Sequence, residues 1–149
     1  MNIIRRALRR IHDDQRGNIA AEVVIWAPIL VLLIALLIVA GRTIHADNAT
    51  QNAALSAARN ASLSRDAQTA QDNAEAAARR AMANAGTPCL QLEVVIDTSG
   101  LNAPIGTTGI VSARVTCTVN LADVTVPGIP GTRQMTSTET SPVDAYRAR

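Results

Sequence analysis

The chain has 149 residues, room for one modest domain and an anchor. Aromatic residues make up 1% (Trp26, Tyr146 and no Phe), which excludes a core built on large rings and leaves that role to Ala, Val, Leu and Ile. The net charge is +2, with fourteen Arg and no Lys, and no basic face interleaved with stacking side chains, so nucleic acid is excluded as a partner.

Residues 1–17 form an Arg-rich leader. Arg5, Arg6, Arg9, Arg10 and Arg16 stand there against Asp13 and Asp14. Residues 18–41 follow as a membrane-length apolar helix whose one charge is Glu22. The run 19–41 spans roughly 34 Å as a helix, enough for the hydrocarbon core. Pro28 removes one backbone donor, and a bend there is tolerated where neighbouring helices pack. The positive-inside rule keeps the Arg-rich side cytoplasmic and sends the C-terminal bulk outside, with lipid around the helix. A secretory signal peptide is the alternative, but its apolar core is shorter, about 7–15 residues. Glu22 itself has two readings. It either snorkels to the headgroups or performs a function in the membrane.

Residues 42–86 are Ala-rich and free of Pro and Gly until Gly86, which predicts helix. The first part, 43–61, continues the membrane helix. Residues 62–66 form a break with Ser64 as N-cap. A second helix, carrying a Glu75/Arg79 pair at i,i+4, runs to about 84–85 and stops at Gly86. The recurrent Ala residues serve either as a packing surface for other subunits or as a face lying on the chain's own sheet.

Residues 87–140 read as a small antiparallel β domain of about three strands. Leu90, Leu92, Val94 and Ile96 alternate with Gln91, Glu93, Val95 and Asp97, a strand with one apolar face. Residues 99–109 are loop. A cleaner alternation runs from Val111 to Leu121. Pairing Leu92 with Val115 sets Glu93 opposite Arg114 and Leu90 opposite Cys117, satisfying both pattern and charge. Residues 127–131 form a turn, and 133–140 a third, more exposed strand. The tail, 141–149, is polar and loose, with Tyr146 as its one anchor.

Cys89 and Cys117 are the only cysteines. Both fall in the part placed outside the cytoplasm, where disulfides persist; in the register above Cys89 stands one step diagonal from Cys117 at the strand edge, where a bulge or an edge twist would close the bond. Two buried free thiols are the alternative. His12 and His45 are distant from them and from each other, so neither a metal site nor a nucleophile–base pair can be assembled. No cofactor is expected, and the chain is not read as an enzyme. Gly106-Thr107-Thr108-Gly109 carries no lysine and is not a phosphate-binding loop.

Arg16-Gly17, a short gap, Glu22 and a long apolar helix resemble the TadE-like pilus-assembly proteins of tight-adherence, type IVc pili. The stretch from Gln51 to Ala61 is similar to that family's Ala/Arg-rich helix after the membrane. The elements read above make an α+β chain (a transmembrane helix, Ala-rich extracytoplasmic helices, then a small sheet), and the extended C-terminal region fits the resemblance. It implies cutting by a prepilin peptidase between Gly17 and Asn18, which makes Glu22 the fifth residue of the mature chain. Glu22 then meets the free N-terminal amine of a neighbouring subunit as an assembly contact. Val23 stands where major pilins of this class often carry Tyr, which favours a minor pseudopilin. The partners implied are other pilins or pseudopilins, assembly-platform proteins and the peptidase. A membrane-anchored extracellular binding module without a pilus role is the rival reading.

Overall fold

The computed structural model describes residues 15–120 and 131–146, with side chains described from Val23 onward except Ile25. The fold is α+β. Helix α1 spans Gln15–Ser62, α2 spans Ala67–Asn84, and strands β1 (Cys89–Asp97), β2 (Ile110–Asn120) and β3 (Thr132–Pro142) form one antiparallel sheet in the order β1-β2-β3. A short 3-10 helix, Ser99–Asn102, lies in the segment read from sequence as loop. The chain divides into two compact units, Met1–Ile38 and Val39–Arg149.

In the second unit the core is made of small side chains. Ala46, Ala49, Ala53, Ala57 and Ala61 recur at three- and four-residue steps on α1 and are buried. Ala70, Ala74, Ala77 and Ala78 do the same on α2. These faces share one apolar cluster with the inward residues of β2 (Val111, Ala113, Val115, Cys117 and Val119) and with Met135 of β3, with Ala77 buried alongside. The largest fully buried side chains are Val111, Val115, Thr50 and Cys117. Thr50 lies in this face at no loss, because its hydroxyl donates to the Ala46 carbonyl at 2.8 Å. The alanine stripe is therefore occupied by the chain's own sheet.

The outer sheet face is polar. Thr116 and Thr136 exchange a hydroxyl hydrogen bond at 3.2 Å, and Arg114 Nε donates to Thr138 Oγ1 at 3.3 Å. The edge strand β1 is tied to α2, where Gln71 Nε2 donates both to the Val94 carbonyl (3.0 Å) and to Glu75 (2.9 Å).

The turn between the helices differs from the sequence reading. Asp66, not Ser64, caps α2, accepting from the Thr69 amide and hydroxyl, both at 2.8 Å. Ser64 is engaged elsewhere, donating to the Asn60 carbonyl and accepting from Asn73. A carboxylate three residues before a threonine offers two acceptors where the serine offers one. The other end of α2 is a Schellman motif. Gly86 has φ +63°, its amide donates to Ala83, and the Thr87 amide donates to Met82.

The strand register is also shifted from the expected one. Leu92 faces Cys117, Glu93 faces Thr116 and Val95 faces Arg114, two residues from the pairing read from charge and pattern. A slip of two residues keeps the same faces in and out, so hydrophobic alternation alone does not select between the two registers. Leu90 was expected inward opposite Cys117. A bulge between Cys89 and Gln91 turns it outward, 62% exposed. β3 reaches two residues into the expected tail: Ser141 is buried against Ser62, and the Val143 amide donates to Gly109. The tail is held by backbone, with Ala145 accepting from the Gly106 amide, while Tyr146 is exposed. Leu121 and residues 127–130 of the expected turn lie outside the described residues.

Two expectations follow. Ala57→Leu should cost about 1–3 kcal/mol by overpacking, whereas Leu at the exposed Ala76 should change stability by less than about 0.5 kcal/mol in denaturant unfolding. The Thr69 amide and hydroxyl hold Asp66 below the usual carboxylate range. Its capping contribution is therefore complete above the unfolded aspartate pKa of about 4 and is lost as pH falls through the lowered folded value. Thermal unfolding of Asp66→Ala should lie below wild type at neutral pH and converge with it in acid.

Candidate functional site

The first turns of α1 contain the residues singled out for assembly. Gly17, Asn18 and Glu22 are helical in backbone, and their side chains lie outside those described. Beyond Glu22 no charge occurs until Arg42. These nineteen residues extend about 28 Å along a helix, close to the roughly 30 Å hydrocarbon thickness. Within the run Val24, Trp26, Val31 and Leu37 are exposed by more than half. Pro28 leaves the helix assignment unbroken. An apolar helix with bare side chains is the hallmark of a segment whose solvent is lipid or another apolar helix. Among the described residues α1 is thus a helix long and apolar enough for single-pass anchoring.

Residues 17–59 match the family model of TadE-like proteins. Over that segment the chain is similar to TadE-like proteins. The matched segment begins on Gly17, contains Glu22 and the whole uncharged run, and ends inside the alanine face of α1. The sheet lies outside it. No curated protein and no solved structure matches the chain.

In the second unit Cys89 and Cys117 form a disulfide, with Cα atoms 5.5 Å apart and a sequence separation of 28. Regular alternation would group Cys89 with Gln91 and Glu93 on the polar face. The bulge reverses that parity, so Cys89 packs on the core beside Cys117, which is fully buried.

His45 has a role that sequence reasoning missed. Its Nε2–H donates to the Ala85 carbonyl at 3.0 Å, so a side chain on α1 closes the C-terminal turn of α2. A donor suits that place because the last carbonyls of a helix have no partner of their own. No local motif announces a bond across 40 residues. Arg42, His45, Thr87, Pro88 and Asn120 line a cleft of about 270 Å³ beside it. Among the described residues no three His, Cys, Asp or Glu side chains converge as metal ligands. Asp97 is engaged locally, its carboxylate accepting from the Ser99 amide at 2.9 Å and held below the usual range by that bond.

Loss of the disulfide should weaken the second unit measurably. In the chain-entropy treatment a loop of this length is worth about 3–4 kcal/mol. Cys117→Ser should lower the denaturant midpoint of the second unit accordingly, and an unchanged midpoint would show that the bond is dispensable.

Proposed function

We propose that this TadE-like chain is a minor pseudopilin-like component of a Tad, type IVc pilus apparatus. It acts through contact and not through catalysis. The observation that carries the reading is the family match beginning on Gly17, with a carboxylate five residues later at the head of a nineteen-residue uncharged run.

The physical argument concerns Glu22. A carboxylate taken out of water carries a desolvation cost that a nearby cation offsets. Attraction between the two strengthens as the local dielectric falls. In this reading a prepilin peptidase cuts between Gly17 and Asn18, and the new amine of one subunit meets Glu22 of the next. That single pairing sets the axial register, and the exposed apolar side chains of α1 supply lateral packing against neighbouring helices. The Arg-rich leader keeps residues 1–17 in the cytoplasm. The disulfide-bonded outer unit is then extracytoplasmic, where it faces other subunits.

The alanine stripe of α1 is not the assembly surface in this account, because it is covered by the chain's own sheet. Contacts with pilins and platform proteins are assigned to the helix segment before Val39 and to the outside of the second unit.

Glu22→Ala should leave membrane insertion intact or improved, since a charge in an apolar helix costs up to about 2.5–3.5 kcal/mol on insertion scales. The same variant should lose piliation. Normal piliation would remove Glu22 from the mechanism. Gly17→Leu should leave a precursor that retains residues 1–17, read directly as intact mass. A wild-type chain isolated from piliated cells with its leader intact would favour a tethered binding module instead.

A further inference from the structure

The start of β1 has two competing frames written into its sequence. Leu90, Leu92, Val94 and Ile96 form one unbroken alternation, yet Leu90 is 62% exposed while Leu92, Val94 and Ile96 pack on the core. The irregularity between Cys89 and Gln91 is the cause, pairing Cys89 with Val119 and Gln91 with Thr118. Continuing the regular ladder one step beyond Gln91↔Thr118 would set Leu90 opposite Val119 and Cys89 opposite Asn120. Val119 is 5% exposed, so its partner in that frame faces the core. The observed frame gives up a regular ladder position and leaves a leucine in water. What it gains is Cys89 on the same face as Cys117, at bonding distance.

We propose that the Cys89–Cys117 disulfide is a redox-controlled selector between these two frames. Oxidised, the bond holds the bulge and presents Leu90 on the outer surface. Reduced, the strand takes the regular frame, Leu90 moves inward opposite Val119, and Cys89 turns out beside Asn120. The reductant is a dithiol. It transfers two electrons and two protons, the S–S bond breaks, Cys89 and Cys117 become thiols, and the dithiol closes to its own disulfide. The one-residue slack falls on Thr87 and Pro88 between α2 and β1, and taking it up releases the Thr87 amide from the Met82 carbonyl. The outer unit thereby displays an apolar contact under oxidising conditions and withdraws it under reducing ones. This inference stands independently of the pilus reading.

The test uses full-length protein in detergent micelles, with and without dithiothreitol, and compares wild type with Leu90→Ser. In the oxidised state Leu90→Ser should leave the melting temperature of the outer unit unchanged. In the reduced state it should lower it by about 5 °C or more. A second readout is the solvent exposure of the Leu90 methyl groups, measured by NMR in Cys117→Ser, where no bond can form. They should be protected from a soluble paramagnetic probe there and accessible in oxidised wild type. Equal shifts in both redox states, accessible methyls in Cys117→Ser, or a reduced outer unit that does not fold would each overturn the proposal.

Discussion

The uncharged run between Glu22 and Arg42 is the constraint on which the molecule is organised. It is as long as a bilayer core is thick, and most of its described side chains, Val39 excepted, are exposed. Five arginines stand before it, and the chain from Val39 onward builds a second compact unit. A carboxylate at its head is the one group whose placement apolar burial alone does not explain. The family match covers that group, the run and the helix after it, and stops there. In the proposed function the assembly contact belongs to that first part of the chain.

The second unit solves a different problem. With no phenylalanine and both aromatics outside its core, it buries alanine, valine and a few larger aliphatic side chains. Each alanine contributes little area, so many are needed, and the helices supply them in register with the inner face of the sheet. The margin left by such a core is small. Polar devices complete it: an aspartate cap, a Schellman stop, a cross-helix histidine and a glutamine from α2 on the edge of β1. The disulfide is the strongest of these and joins the edge strand to the centre of the sheet.

Helix and strand positions were legible because their periodicities differ. The alanine run carries helical propensity in every residue, and the alternation from Val111 to Val119 has one reading. What was not legible depended on partners distant in sequence. The register of β1 against β2 slipped by two because a two-residue slip preserves every face. The bulge at Leu90 contradicts local alternation and is explained only by the cysteine 28 residues away. Asp66 displaced Ser64 as cap because Ser64 was already bonded to Asn60 and Asn73. The use of the alanine face was undecided in the sequence, since alanine marks close packing without naming the partner. Glu22 was conspicuous by charge alone, and the match from residue 17 adds a family context to that signal.

The central claim is that a neighbouring molecule's cation compensates the Glu22 carboxylate. Dipolar recoupling by solid-state NMR on assembled pili measures this directly, with ¹³C at the Glu22 side-chain carboxyl and ¹⁵N on the terminal amine of a second, mixed-in subunit. The account requires a carbon–nitrogen separation of about 4 Å or less, as in an ion pair. A carboxylate with no nitrogen of any subunit within that reach, surrounded by water and lipid phosphate, would contradict it.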